Sequence, residues 1–521
     1  PLRHPGRPST DKELPMTAHA PGPEYQPAGT REGLENVRTL VNAALDILRE
    51  TSASRSGPVA PGGPNGTRAA ARRALAGPLL PLRGEKVEEV LETLVRPYAE
   101  GAVDITHPAA LARMQPPPVA SAAAAELVAS VLNQSLHAWE SGPFALELDR
   151  WMIEQMAELV GYEPTEAGGT LTPGGSLSNL MAMTMARDTV MARRTGRSPG
   201  REGLFAIGMQ PVALCPEGVH FSIERAARLL GMGEDNIMTV PVDDTGRMIP
   251  REAERLLREC PEGRIPVVLV AVAGSTDLGI VDPLPELADI ARRYGVWLHA
   301  DAAYGAGALF SPRLRPMLDG LSEADSVTVD LHKFGWSPAS SAVLLVREAG
   351  AMSSFGLQAT TCLSADDDTC AGYIGLQNTS LQTTRRADAL KIAVTLRTLG
   401  RETMAAMVDT CHGLARHAAA RIEAHPRMEL GARPPLTAVL FRYLPENGLD
   451  PDAFNGALRR RLMETGRALV ARTHIARPDG STRVFLKLMM LNPDTTPAQL
   501  DSVLEEVAAT AAAMEASASG S

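Results

Sequence analysis

Two hydrophobic periods alternate along the chain, separated by polar stretches rich in Gly and Pro. Over Arg31 to Glu50, Val37, Leu40, Val41, Ala44, Leu45 and Leu48 recur at helical spacing, which predicts an amphipathic helix. SASRSGPVAPGGPNG then breaks it, and a second helix is expected over Lys86 to Val95. Two helices joined by such a linker are too thin to fold alone, so this segment is expected to pack on another subunit. GTLTPGGSLSNLMAMTMARD reads as a strand, a Gly-Gly-Ser turn and a helix, and NIMTVPVDDTGRM as a strand and turn. RIPVVLVAVAGSTDLGIVDPLPELADIARRYGVW has the form of a βαβ unit with a Pro-started helix. Short apolar runs follow in GVWLHADAAYG, which reads as a buried parallel strand, and in SVTVD and SAVLLV (residues 341–346), which read as further strands of the same sheet.

After these, AGAMSSFGLQATTCLSADDDTCAGYIGLQ lacks a period and is expected to be a loop. From about Thr403, helices alternate with TAVLFRYLP and RVFLKLMMLNPDTTPAQLDSVLEEV, suggesting a small α/β domain. The expected class is therefore α/β, with a mostly parallel central sheet covered by helices on both faces. Its divisions are a disordered tail over 1–30, an N-terminal helical dimerisation segment over 31–120, a large domain over 121–400, a small C-terminal α/β domain over 401–514 and a frayed tail over 515–521. The Pro-rich N-terminus lacks an apolar signal core, and Met16 is a candidate natural start.

Composition narrows the function. Hydrophobic residues make up 44% and charged residues 21% of the 521, as in ordinary globular proteins. A formal net charge of -10 argues against a nucleic-acid or anionic-membrane partner, and no apolar run is long enough to cross a bilayer. Cys215, Cys260, Cys362, Cys370 and Cys411 are an odd set without CxxC spacing, so neither a disulfide framework nor a metal site is expected. A reducing cytoplasm fits best.

Candidate chemistry sits at strand ends. The run ending HAD delivers Asp301 to the C-terminal end of a buried strand, where ligands of α/β sheets bind. SVTVD then leads into His332-Lys333, so an acid and a lysine come from neighbouring strand ends. Pyridoxal 5'-phosphate (PLP) needs that pair: a lysine to hold its aldehyde as a Schiff base, and an acid to keep the pyridine nitrogen protonated so that the ring accepts electrons. The helix starting at Gly174-Gly175-Ser176 adds an anion cradle, because free N–H groups and the positive end of the helix dipole suit a phosphate.

HADAAYG followed by DSVTVDLHKFGWSP resembles the group II PLP-dependent amino-acid decarboxylases, a family that includes aromatic amino acid, glutamate, diaminobutyrate and histidine decarboxylases. The resemblance covers roughly residues 85–510. It implies the type I, aspartate aminotransferase-like fold of PLP-dependent enzymes, in a homodimer with shared active sites, while the Ala- and Arg-rich composition suggests a bacterial source. It also implies decarboxylation of an L-amino acid to an amine and CO2. Lys333 would be the Schiff-base lysine and Asp301 the pyridinium partner, with Ala303 against the ring and Asp330 and His332 near the cofactor. GGSLSN resembles the family's SGGSxxN motif and implies that Gly175 and Ser176 hold the phosphate, with Asn179 in support. HFSIERAARLLG resembles HxSxxKAxxxLG and makes His220 the residue that stacks on the ring and positions the substrate carboxylate.

The ITHPAALARMQPPP stretch and the loop near Trp139 to Phe144 resemble the family's substrate-pocket elements, and with Met114 and Pro116 to Pro118 they offer little aromatic surface. A non-aromatic substrate is expected. SLQTTRRADALKIAVTLRTLGRE is similar to the diaminobutyrate decarboxylase branch. Two positions depart from the family. Val272 stands where Thr is usual, and Cys362 aligns with the loop tyrosine that delivers a proton after CO2 leaves, with Tyr373 as a possible substitute. Loss of that donor would favour a second outcome, an oxygen-consuming conversion to an aldehyde, or another PLP-dependent carbon–carbon lyase reaction.

Overall fold

The computed structural model describes residues 26–356, 366–446, 448–476 and 481–519. Among the described residues, eleven strands form two sheets. The larger has the order β1 (Gly168–Thr172), β7 (Ala342–Val346), β6 (Ser326–Asp330), β5 (Trp297–Asp301), β4 (Arg264–Val272), β2 (Gln210–Pro216) and β3 (Ile237–Val240). β2 to β6 pair in parallel, whereas β7 runs antiparallel to both β6 and β1. This is the expected mostly parallel sheet, and its burial explains the unbroken apolar runs: every residue of β5, β6 and β7 is buried.

Alternation along these strands feeds two cores. Leu269, Ala271, Val327, Val329, Val343 and Leu345 join one core with Met152, Leu287 and Ile290 from the helices Pro143–Val160 and Leu284–Tyr294. Val268, Val270, Leu344 and Val346 face the other way, into Met181, Met185 and Met191 of the helix Gly175–Thr195. Because each buried side chain of this size contributes roughly 1.5–3 kcal/mol, the sheet and its two helical covers hold one another in place. The strand ends thus become a rigid platform.

The smaller sheet is antiparallel, β10 (Ala471–Ala476), β11 (Thr482–Met489), β9 (Ala438–Tyr443) and β8 (Met428–Ala432). The helices Pro451–Glu464, Pro497–Ser519 and the C-terminal part of Ala389–Ala424 cover it. That last long helix bends at Gly400, whose φ of 67° places it in the left-handed region open to glycine. A buried Lys487 of β11 ties the two sheets together, reaching Asp277 at 2.6 Å and the Thr276 carbonyl at 3.2 Å in the loop after β4.

Helix Arg31–Ala53 matches its periodicity, and the second expected helix runs from Val87 to Gly101 with a π turn over Leu91–Val95. Two expectations need correction. Part of the breaker stretch is helical, Gly63–Ala74, because its Gly and Pro occupy the helix start, where Pro lacks no needed N–H, and Ala and Arg carry the rest. The Gly62 N–H donates to the Glu464 carbonyl at 2.8 Å, so this turn docks on the chain's own small sheet layer. The final helix also continues to Ser519, and Glu515 is buried, accepting from Arg427, Tyr443 and the Glu446 N–H. The loop after β7 carries a short helix, Asp366–Cys370, whose leading Asp residues suit a helix N-terminus. Cys362, like Met16, lies outside the described residues.

Candidate active site

β5 and β6 end side by side, with Asp301 in register with Thr328. Directly after β6 the chain makes one helical turn, Leu331–Phe334, before reversing into β7. This turn presents Lys333 back toward the strand end, where its Nζ lies 2.9 Å from Asp330 Oδ2. His332 Nε2 is 3.6 Å from the same oxygen, and its Nδ1 meets the Ser341 main chain at 3.0 and 3.2 Å. The other oxygen, Asp330 Oδ1, is buried without a hydrogen-bond partner among the described residues.

Across the strand ends lies the start of the helix Gly175–Thr195. A Cβ on Gly175 would sit 3.2 Å from Ala303 Cβ and 3.2 Å from Asp330 Oδ2. Any Cβ here would crowd Ala303 and Asp330, and glycine leaves the helix N-terminus open beside Lys333. Gly174 borders the same space, since a Cβ there would meet His332 at 3.7 Å.

Asp301 is 7% exposed and has no cation within 4 Å among the described residues; its oxygens accept only from Asn179 Nδ2 at 2.8 Å and the Ala303 N–H at 3.2 Å. A buried carboxylate held by neutral donors favours a cationic ligand atom. Asn179 also donates to Ser222 Oγ at 2.9 Å, and its own Oδ1 accepts from His299 Nε2 and Thr328 Oγ1, both at 3.0 Å. Ser222 Oγ in turn bonds His220 Nδ1 at 2.8 Å. Burial lowers the His220 pKa, while Asp301 pulls it the other way. Burial likewise pushes the His299 imidazole down to about 4, so both rings are neutral near pH 7.

These residues fit PLP. Lys333 would supply the amine, Asp301 a carboxylate for a protonated nitrogen, and the helix N-terminus at Gly175 and Ser176 a seat for the phosphate. The orphaned Asp330 Oδ1 leaves a free acceptor beside them. The structure thus brings together Gly175, Asn179, His220, Asp301, Ala303, Asp330, His332 and Lys333. Val272 pairs with Asp301 across β4 and β5, and its N–H donates to the buried Asp282 at 2.7 Å.

Tyr373 stands against Trp139, in the loop expected to line the substrate pocket. Its ring stands edge-on to Trp139, 5.0 Å between centroids, and it is half exposed. The HPAALARM stretch is stitched into the small sheet, Leu111 N–H to the Leu469 carbonyl and Met489 N–H to the Leu111 carbonyl. Val119, just beyond it, donates to the Trp336 carbonyl, three residues past Lys333. Ser222, His299, Ser326 and Thr328 were absent from the sequence-level site. Polar residues at alternate positions of otherwise buried strands, WLHAD and SVTVD, are the signal that could have found the last three.

Comparison with known proteins agrees with this geometry. Residues 71–444 match the pyridoxal-dependent decarboxylase conserved domain. The chain is 38% identical over 490 residues to an L-2,4-diaminobutyrate decarboxylase of Rhizobium meliloti (strain 1021), covering 92% of this chain and 93% of that one. A protein of the same name from Acinetobacter baumannii is 32% identical, with 82% and 84% covered. Among solved structures, the glutamate decarboxylase domain of a diaminobutyrate-pyruvate transaminase and L-2,4-diaminobutyrate decarboxylase from Vibrio parahaemolyticus superposes with a TM-score of 0.82 at 27% identity, over 93% of this chain and 97% of that one. With residues 71–444 matching that domain and relatives 38% and 32% identical along most of their length, this chain belongs to the pyridoxal-dependent decarboxylase family of PLP-dependent amino-acid carboxy-lyases.

Proposed function

We propose that the chain decarboxylates L-2,4-diaminobutyrate, releasing CO2 and 1,3-diaminopropane. The observation that carries this reading is the 38% identity to a protein of that name along nearly the full length of both chains. Bound PLP supplies the electron sink for the pair left on carbon when the bond to the carboxylate breaks. Lys333 would hold the cofactor through its amine. Asp301 keeps a positive charge opposite it at the far end of the site, with Asn179 holding Asp301 in place. Gly175 and Ser176 would hold the phosphate and Ala303 would border the ring, while Asp330 braces Lys333 and His332 stands beside that carboxylate. His220 orients the substrate carboxylate.

The N-terminal helices supply a dimer interface in this reading, in the cytoplasm of a bacterium. In support, Leu79, Leu80 and Leu82 are almost wholly exposed, and an open groove of about 400 Å³ is lined by Leu34, Val37, Val41, Leu127, Val128 and Val131. Sedimentation would give twice the chain mass; a monomer at micromolar concentration would refute the interface. No helix among the described residues is long and apolar enough to cross a membrane.

The activity test is incubation of PLP-loaded protein with 2,4-diaminobutyrate, ornithine, lysine, glutamate and aromatic amino acids, with products identified by mass spectrometry. Diaminopropane from diaminobutyrate, at a kcat/KM above that for the others, is expected. An amine from glutamate or ornithine with none from diaminobutyrate overturns the substrate assignment, and an aldehyde overturns the product. Lys333→Ala should abolish both the visible absorbance of the loaded protein and its turnover.

A further inference from the structure

A buried hydrogen-bond chain runs from Trp297 to His220, and its direction is fixed. Trp297 Nε1 can only donate, and it does so to Ser326 Oγ at 2.8 Å. At the other side, the Asp301 carboxylate can only accept, so the Asn179 amide must turn its NH2 to Asp301 and its oxygen to His299 and Thr328. His299 Nε2 therefore carries the ring proton and donates to Asn179 Oδ1 at 3.0 Å. Its Nδ1 accepts from Ser326 Oγ at 2.8 Å. The second Asn179 N–H donates to Ser222 Oγ at 2.9 Å, which leaves the single Ser222 proton for His220 Nδ1 at 2.8 Å. The Ser222 main-chain N–H also points at His220 Nδ1, 3.3 Å away. Two donors on Nδ1 leave no place for a proton there.

We infer that this polarised chain, Trp297 to Ser326 to His299 to Asn179 to Ser222 to His220, holds His220 as the neutral Nε2–H tautomer, so that the nitrogen left for a ligand is always a donor. His299, Asn179 and Ser222 are positioning residues that act through His220. Asp301, Lys333, Asp330 and Arg225 are the charged groups that His220 feels, and the chain makes its tautomer insensitive to how they balance.

The consequence for catalysis rests on the decarboxylase reading. A substrate carboxylate enters as an anion and leaves as neutral CO2, while the electron pair of the broken bond stays on carbon. A cation on the carboxylate would stabilise the ground state more than the transition state and slow that step. A neutral N–H orients the group without that penalty, and a cationic His220 would not. Locking the tautomer thus separates orientation from charge neutralisation.

The test reads the tautomer itself and does not depend on turnover. Full-length protein labelled with 15N in its histidine rings, apo and PLP-loaded, is examined by long-range proton–nitrogen correlation at neutral pH, with the His220 signal assigned by its loss in His220→Asn. The expected pattern is a protonated Nε2 and a bare Nδ1, with Ser222→Ala shifting the ring toward a mixture of tautomers. His299→Leu should loosen the lock, whereas His299→Gln, which keeps a donor toward Asn179, should restore it. A second readout separates the role from a merely structural one. In Ser222→Ala the KM for the amino acid should rise on the order of tenfold, the worth of one hydrogen bond to a charged group. The affinity for the amine product, which lacks the carboxylate, should stay unchanged. An Nδ1–H or doubly protonated His220 in the wild type overturns the inference, as does an unchanged tautomer in Ser222→Ala. Absence of decarboxylation together with the expected tautomer would instead sink the proposed function and leave the lock standing.

Discussion

Gly307→Ala is the substitution that the packing around Lys333 should tolerate least. Gly307 lies in the 3-10 segment Gly305–Phe310, and a Cβ there would fall 2.3 Å from Phe334 Cγ and Cδ1 and 2.5 Å from Phe334 Cβ. Carbon atoms in contact rest about 3.5–4.0 Å apart, so the ring would have to retreat by more than about 1 Å. Rotating the side chain does not help, because its own Cβ is in the way. Phe334 is 1% exposed, with Trp336 and Tyr304 against it, and it directly follows Lys333. The helical turn Leu331–Phe334 must therefore move. Overpacking costs about 1–3 kcal/mol, and losing the seat of a buried Phe costs about 3–5, so a loss of about 3 kcal/mol is expected. For a chain of this size that lowers Tm by about 3 °C. The displaced Lys333 should also weaken PLP binding by roughly tenfold or more, the worth of its 2.9 Å pairing with Asp330. Calorimetry of the apo-protein and a cofactor titration followed by visible absorbance measure the two effects. Gly413→Ala is the control: nothing lies within 4 Å of its added Cβ on an exposed helical surface, and it should gain about 0.5–1 kcal/mol. A Gly307→Ala protein with wild-type Tm and wild-type cofactor affinity would refute the packing argument.

Three further outcomes follow from the site and the sheets. Asp301→Asn keeps the size of the side chain but removes the charge, and kcat should fall at least roughly 100-fold while the loaded protein stays coloured; steady-state kinetics beside an absorbance spectrum decide it. His299 is held near 4 when folded and titrates near 6.5 when unfolded, so the unfolded chain binds the extra proton in that window and stability is lost as pH falls from about 6.5 to 4. Denaturant midpoints of His299→Gln should show a shallower loss over that range than the wild type, and parallel curves would contradict this. Lys487→Met removes a buried cation from a half-exposed Asp277, which can then turn to water; a loss of about 1–2 kcal/mol is expected by urea unfolding, without change in the near-neutral kcat.

How far the sequence carried depended on the range over which each feature is encoded. β5, β6 and β7 were legible because strands buried on both faces need unbroken apolar runs, and Asp301 and Lys333 were legible because they end those runs. The Gly175 turn was visible as composition, yet the reason for glycine there, Ala303 and Asp330 at 3.2 Å, comes from residues far along the chain. His299, Ser326 and Thr328 went unread because a polar residue inside a strand declares its role only when its partner is known, and Asn179 is 120 residues from His299. Gly63–Ala74 was misread since Gly and Pro signal a break and a helix start alike, and what decides between them is the dock at Glu464.

The reversal of β7 bears on how the two ends of the site are held. β6 and β7 are adjacent and joined only by residues 331–341, and Ser341 closes onto His332 across nine residues. Closing so short a loop costs little chain entropy, whereas joining Asn179 to Asp301 spans 122 residues and depends on the parallel strands between them. The lysine and its immediate braces are therefore a local structure, and the seat of Asp301 is a global one. Lys333 and its braces thus rest on contacts within a dozen residues, whereas the acid's seat rests on contacts more than a hundred residues apart.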